Sequence, residues 1–286
     1  MNHFLPPGRM ITIRHKETGA TLLEVDADSL AGADLEGAML LGADLKGADL
    51  RGAHLRIADL CQADLRGAVL DGADLRDADV TLARLAGSSL RNAMITDARF
   101  QGINMAGEVP AQTDFRGADL TRCYLNFSNL TGCDFSDAVM RGSDLTRCDL
   151  TGARLIGADL TGANLSYSNF RAADLSYAML AGAIIVDSNF QSASLQHAEL
   201  ATATLSGVRL SQAVLSQAHL SRTVFARCED LSQAFGLDSL RYTSPSSIDL
   251  ESLMLGMEDL PQDFLEGLGV GRREMDALRA VTGAAG

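Results

Sequence analysis

From Leu30 to Phe225 a large apolar residue falls on nearly every position divisible by five. The run Ala43-Asp44-Leu45-Lys46-Gly47-Ala48-Asp49-Leu50 displays the unit. A small residue, a short polar residue and a large apolar residue are followed by two variable positions, the second often Gly. A period of five suits neither regular element. On an α-helix five steps turn the chain by about 140°, so the leucines spiral and bury no face. On a flat strand five is odd, and successive leucines point to opposite sides. A strand of two or three residues followed by a corner in every unit does bury the pattern. The small residue and the Leu are two apart and point inward, the Asp between them points outward, and Gly serves the corner. Stacked coils then bury a column of Leu beside a column of Ala.

The two ends follow other patterns. Ile11-Thr12-Ile13-Arg14 alternates, Glu17-Thr18-Gly19 signals a turn, and Thr21-Leu22-Leu23-Glu24-Val25 resumes. This predicts a β-hairpin within residues 1–25, placed to cover the first open edge of the stack. After Cys228 the period stops. Ser244-Pro245-Ser246-Ser247 starts a helix through Ile248 to Met254, Pro261 opens a second that ends near Gly267, and Gly271 to Val281 has helical spacing. Residues 229–286 are thus a helical segment that caps the stack or joins two chains.

One stretch inside the repeat breaks it. Ala106-Gly107-Glu108-Val109-Pro110 puts Glu108 and Pro110 where inward residues belong. Pro cannot donate to a ladder and a buried Glu is costly. Residues 106–112 are therefore expected to leave the stack as a loop, with Gly107, Glu108, Val109 and Pro110 as a candidate contact site. Phe100, Phe115, Phe135, Phe170, Phe190 and Phe225 take the Leu slot and are core packing.

Ala43-Asp44-Leu45-Lys46-Gly47, Ala63-Asp64-Leu65-Arg66-Gly67 and Ala158-Asp159-Leu160-Thr161-Gly162 resemble the units of the pentapeptide-repeat family. The resemblance extends from Ala27 to Cys228, within a repeat region of 26–228. It implies an all-β fold: a right-handed quadrilateral β-helix (a solenoid) with four units per coil. Leu30 to Phe225 then makes about ten coils, a rod of about 50 Å at the inter-strand spacing.

Composition narrows the function classes. The net charge is −13, and direct nucleic-acid binding, which needs Lys and Arg to displace counterions, is not expected. The five cysteines, Cys61, Cys123, Cys133, Cys148 and Cys228, lack metal-ligand spacing. All but Cys61 occupy the small inward slot and read as buried hydrophobes. The N-terminus lacks the apolar core of a signal peptide, and the run Ala178 to Val186 is too short to span a bilayer. A cytoplasmic protein with no membrane segment is expected. His3, His15, His54, His197 and His219 share no short spacing, and no phosphate loop, dinucleotide fingerprint or nucleophile elbow occurs. No catalytic residue, cofactor or metal is expected.

That leaves the outer surface. If residues twenty apart share a side, Asp59, Asp79, Asp119 and Asp159, extended by Glu199, form one acidic line. Asp34, Asp74, Asp114, Asp134 and Asp174 form a second. Arginines such as Arg66, Arg76 and Arg116 follow the central residue and offset them. Within 26–228 there are 24 acids and 17 bases, roughly one net charge per 7 Å of rod against one per about 1.7 Å in duplex DNA. The pattern predicts a protein-interaction scaffold. The family resemblance implies an alternative: a DNA mimic that binds gyrase or topoisomerase IV and protects against topoisomerase poisons, as a monomer or a dimer joined through C-terminal helices.

Overall fold

The computed structural model describes residues 10–103, 113–228, 230–256 and 259–282. Its body is a stack of parallel coils. Most units pair with the unit twenty residues ahead, as in Asp34 with His54, Asp44 with Asp64 and Asp159 with Met179. Four five-residue units therefore complete one turn of the chain. The backbone ladder runs between turns: His54 N–H donates to Ala33 O at 2.9 Å and Leu35 N–H to His54 O at 2.8 Å. Three-residue strands are reached only late in the stack, at β3 (Ile184–Val186), β4 (Thr204–Ser206), β5 (His219–Ser221) and β6 (Val224–Ala226). They are numbered after the N-terminal hairpin, β1 (Met10–Arg14) and β2 (Thr21–Asp26).

The corner explains the unit. Ala48 N–H donates to Leu45 O at 3.0 Å, and Gly47 between them has φ 66°, the pattern of a type II turn. Many units place a side chain there instead, such as Phe127 with φ 62° and Arg147 with φ 59°, at a local cost of about 1–2 kcal/mol each. The ladder on both sides holds these residues in place. Inward positions fill the interior: Leu60, Leu125 and Leu160 are fully buried, as are Ala63 and Ala158. Where Ser or Thr takes the Ala slot, its hydroxyl reaches a carbonyl inside the stack. Ser168 Oγ donates to Leu145 O at 2.6 Å and Thr223 Oγ1 to Leu200 O at 2.8 Å. Among the described residues Ser88, Thr113, Ser128, Ser143 and Ser188 do the same.

Both ends are covered. β1 and β2 pair antiparallel, and Ile13 is buried against the first coil. Asp44 N–H donates to Arg14 O at 2.8 Å, Lys16 N–H to Gly42 O at 2.9 Å, and His15 bridges Ala43. The hairpin thus adds a strand to an edge that has no coil before it. Gly42 permits this approach, since a Cβ there would stand 2.5 Å from His15 Nε2 and its φ is +66°. Gly42→Ala is expected to cost about 1–3 kcal/mol. Hydrogen exchange should speed up across 10–26 while mid-stack amides stay protected; unchanged hairpin protection would contradict this.

At the other end the stack continues past Cys228, where the sequence period has already stopped. Val214 pairs with Phe235, β5 with β7 (Arg241–Ser244) and β6 with β8 (Ser247–Ile248). This last turn is irregular, with short 3-10 turns at Leu231–Gln233 and Leu237–Ser239. Then come α1 (Leu250–Gly256), α2 (Gln262–Gly267) and α3 (Arg272–Thr282). Phe264 of α2 is fully buried and meets Phe225 edge to face, with ring centroids 5.9 Å apart. Leu253, Leu260, Leu265 and Leu268 join the same core.

Candidate interaction surfaces

The pairing sorts the units into four columns. Around the break the partners are 25 residues apart rather than twenty: Ser89 with Asp114, Met94 with Asp119, Arg99 with Tyr124. That turn takes five more residues than its neighbours. The residues proposed from sequence as a contact loop, Gly107, Glu108, Val109 and Pro110, lie outside the described residues.

The longer turn moves every later unit one column over, and this corrects the acidic lines. Asp59 and Asp79 stand in the second column. Asp119, Asp159 and Glu199 stand in the first, in line with Asp34 and Asp74. Asp114, Asp134 and Asp174 stand in the fourth. Along the first column the acids alternate with His54, Met94, Val139, Met179 and His219. Successive acids of this column are thus two coils apart, about 10 Å, whereas Asp59 and Asp79 in the second column and Asp114 and Asp134 in the fourth stand on successive coils.

Most of these carboxylates also do structural work. Asp59 Oδ1 accepts from Cys61 N–H at 3.0 Å, Asp119 from Thr121 N–H at 3.0 Å and Asp174 from Ser176 N–H at 3.0 Å. Each bond reaches two residues ahead, into the corner, and steadies it; Asn129, Asn164 and Asn189 do the same. The preference for Asp or Asn at this slot is therefore a turn preference before it is a charge preference. The second oxygen often meets an arginine. Arg76 lies 2.5 Å from Asp74, Arg116 lies 2.8 Å from Asp114, and Arg141 pairs with Asp159. Glu199 Oε2 is 2.5 Å from His219 Nδ1, whose Nε2 is 3.0 Å from Thr243 Oγ1 in the last turn.

Asp114 is the most strongly perturbed of them. Burial acts to raise its pKa, but hydrogen bonds from Arg116 and Arg91 outweigh burial and hold it down at about 2. A carboxylate depressed in the folded state adds stability that is present above its ordinary pKa of 3.8 and is lost as pH falls through the folded value. Stability is therefore expected to drop between about pH 4 and pH 2, and Asp114→Asn should flatten part of that slope. Thermal melts of both proteins across this range check it; parallel slopes would contradict it.

Among the described residues no group of three or more His, Cys, Asp or Glu is arranged to hold a metal, and no helix is long and apolar enough to cross a membrane. Burial favours the protonated thiols: it pushes Cys61 up to about 12, with Asp79 and Asp59 adding to the shift, and does the same for Cys133 and Cys148. A cleft of about 550 Å³ lies beside the last coils, lined by Asp187, Arg209, Arg227, Asp230 and Glu251. Asp187 and Arg227 pair across it at 3.3 Å, and Asp230 accepts from Leu210 N–H and Ser211 N–H. Asp187, Arg227 and Asp230 are thus already committed to contacts within the fold.

The sequence reading missed how unequal the four columns are. Among the described repeat residues, the large exposed apolar side chains gather on the second column: Met39, Leu41, Leu82, Tyr124, Phe127, Tyr167, Ile184 and Val224. The first column has Ile57, Met94 and Met179, the fourth has Tyr177, and the third has none. Within the second column Phe127, Arg147 and Tyr167 follow one another on successive coils. The Arg147 guanidinium carbon lies 5.7 Å from the Phe127 ring centre and 5.5 Å from that of Tyr167. The signal was present in the sequence, but only a correct column assignment brings these residues into one line.

A family model of pentapeptide repeats matches the chain in eight copies, at residues 29–56, 43–81, 58–92, 113–152, 153–191, 168–207, 183–222 and 203–235. No curated protein matches. Among solved structures, the chain is similar to HetL, a pentapeptide repeat protein involved in heterocyst differentiation regulation from the cyanobacterium Nostoc sp. strain PCC 7120. Identity is 28%, over 64% of this chain and 90% of that one, with a TM-score of 0.39. It is similar to trypsin-treated QnrB1, a plasmid-mediated fluoroquinolone resistance protein, at 15% identity over 68% and 93%, TM-score 0.47. A pentapeptide repeat protein from the Arabidopsis thaliana thylakoid lumen is 27% identical over 36% and 68%, TM-score 0.29.

Proposed function

Because the chain belongs to the pentapeptide-repeat family, we propose that it is a cytoplasmic, non-enzymatic scaffold that binds a protein partner along one side of a right-handed, square rod of about ten coils. One observation carries this reading: the exposed apolar side chains are gathered on one column of four. Scattered singly they would need no explanation, but aligned on a rigid face they mark an interaction surface. The interior is filled by Leu, Ala and Phe, so recognition falls to the outside. The backbone ladder fixes the spacing of every exposed side chain and keeps the ordering cost of binding low. The experiment is to isolate a stoichiometric complex from the source cell with the purified chain and repeat it with Tyr124, Phe127 and Tyr167 changed to Ala. Loss of the complex is expected; its survival would contradict the reading.

A second reading rests on the first column, where Asp34, Asp74, Asp119, Asp159 and Glu199 stand in line. This is the arrangement a DNA mimic acting on gyrase or topoisomerase IV would use. Its acids are about 10 Å apart, and Asp74 and Asp159 are paired with arginines. The field is therefore weaker than that of a duplex with one charge per about 1.7 Å. A supercoiling assay with and without a fluoroquinolone separates the two readings. The scaffold reading expects neither inhibition nor protection at micromolar protein.

A further inference from the structure

From the second column we infer that Phe127, Arg147 and Tyr167 form a docking ladder for an amphipathic helix of the partner. That helix presents apolar residues on two turns and a carboxylate on the turn between. The inference rests on the scaffold reading and names the chemistry of the partner. Phe127 and Tyr167 are 62% and 54% exposed, far more than ring packing within the fold requires. Arg147 lies between them, held by their faces. The other arginines of this column have carboxylates: Arg99 has Asp79 at 3.7 Å and Arg227 has Asp187 at 3.3 Å. Among the described residues Arg147 has none. An unneutralised guanidinium flanked by two aromatic faces is a complement to a carboxylate flanked by apolar groups, and Arg and Tyr are the residue types that dominate binding at interface centres.

The spacing selects a helix. Successive coils are about 4.8 Å apart, and successive turns of an α-helix rise about 5.4 Å. A helix lying along the column therefore keeps one turn over each coil for three coils with a drift of about 1 Å. Residues at i, i+4 and i+7 then face Phe127, Arg147 and Tyr167 in order. Leu82 below, leaning over Gly102, extends the apolar track; above Tyr167 the same corner slot holds Asp187, already paired with Arg227 at 3.3 Å, so the track ends there.

The test uses the full chain and two otherwise identical alanine-based helical peptides. One carries Leu, Glu and Leu at i, i+4 and i+7; the other carries Leu, Lys and Leu. The acidic peptide is expected to bind at least about tenfold more tightly. Arg147→Glu should invert that preference, and Phe127→Ala or Tyr167→Ala should weaken the acidic peptide about fivefold or more. Ala172 already holds the same corner slot at φ 56°, so alanine is compatible with it. Tyr177→Ala, on the fourth column, should change nothing. Equal binding of the two peptides, or a preference that survives Arg147→Glu, overturns the inference. So does a chain that sediments as a dimer and is made monomeric by the Phe127 and Tyr167 changes, since a second copy then covers this face. A protein partner bound through another column, with peptides that are not discriminated, overturns the inference and leaves the scaffold reading standing.

Discussion

Phe115→Ala is expected to lower the unfolding free energy by about 3–5 kcal/mol, toward the upper end of that range. Phe115 is fully buried. Its ring stacks on Phe135 with centroids 4.7 Å apart and meets the edge of Phe100 at 6.5 Å. The cost of such a truncation depends on how far the surroundings can collapse. Here they can collapse little, because the coil spacing is set by the backbone. Leu90 N–H donates to Asp114 O and Phe115 N–H to Asp134 O, both at 2.7 Å. These bonds cannot shorten to close a cavity. Phe115→Leu, which restores the residue most units carry at this slot, should cost less than about 2 kcal/mol. Equilibrium urea unfolding of the two variants checks both values. A loss below about 1 kcal/mol for Ala would mean that the stack closes over the gap.

The second large effect is expected at the C-terminal end of the stack. Phe264→Ala removes the side chain that seals the core against Phe225. Here the response should be local before it is global, since neighbouring coils stabilise one another mainly pairwise. The variant should lose the docking of α1 and α2 and expose Phe225 together with β8, the outer strand of its sheet, whose far edge pairs with no further strand among the described residues. Unpaired strand edges recruit other chains. Rapid proteolysis within 250–282 and concentration-dependent self-association are therefore expected, with the melt of the earlier coils little changed. Resistance equal to the parent protein would show that α2 is not the seal.

The repeat was easy to read and the surface was not, for one physical reason. A five-residue unit is fixed by local geometry, by the turn after each Leu and the inward pair before it, so its period survives in the sequence. The column is fixed by pairing twenty residues away. Five extra residues between Phe100 and Thr113 leave the period of five intact and shift the period of twenty. Asp114 and Asp119 therefore look in register with Asp34 and Asp59 and stand one column away. The carboxylates misled in a second way. Their outward direction was legible, but the bond from Asp59 to Cys61 N–H and its equivalents tie most of them to corners. At the C-terminal end, pairings 21 to 23 residues apart, such as Val214 with Phe235 and Val224 with Ser247, erase the period while the ladder goes on.

The central claim is that this protein acts through one side of its stack. One coil offers a direct test, because Asp119, Tyr124, Asn129 and Asp134 point outward from four different columns. A photo-crosslinking amino acid at each position in turn, in the source cell, reads all four sides at one height. Crosslinking of one discrete protein from position 124, with little from 119, 129 or 134, is the predicted result. Equal yields from all four positions, or the strongest yield from 119 on the acidic line, would contradict it.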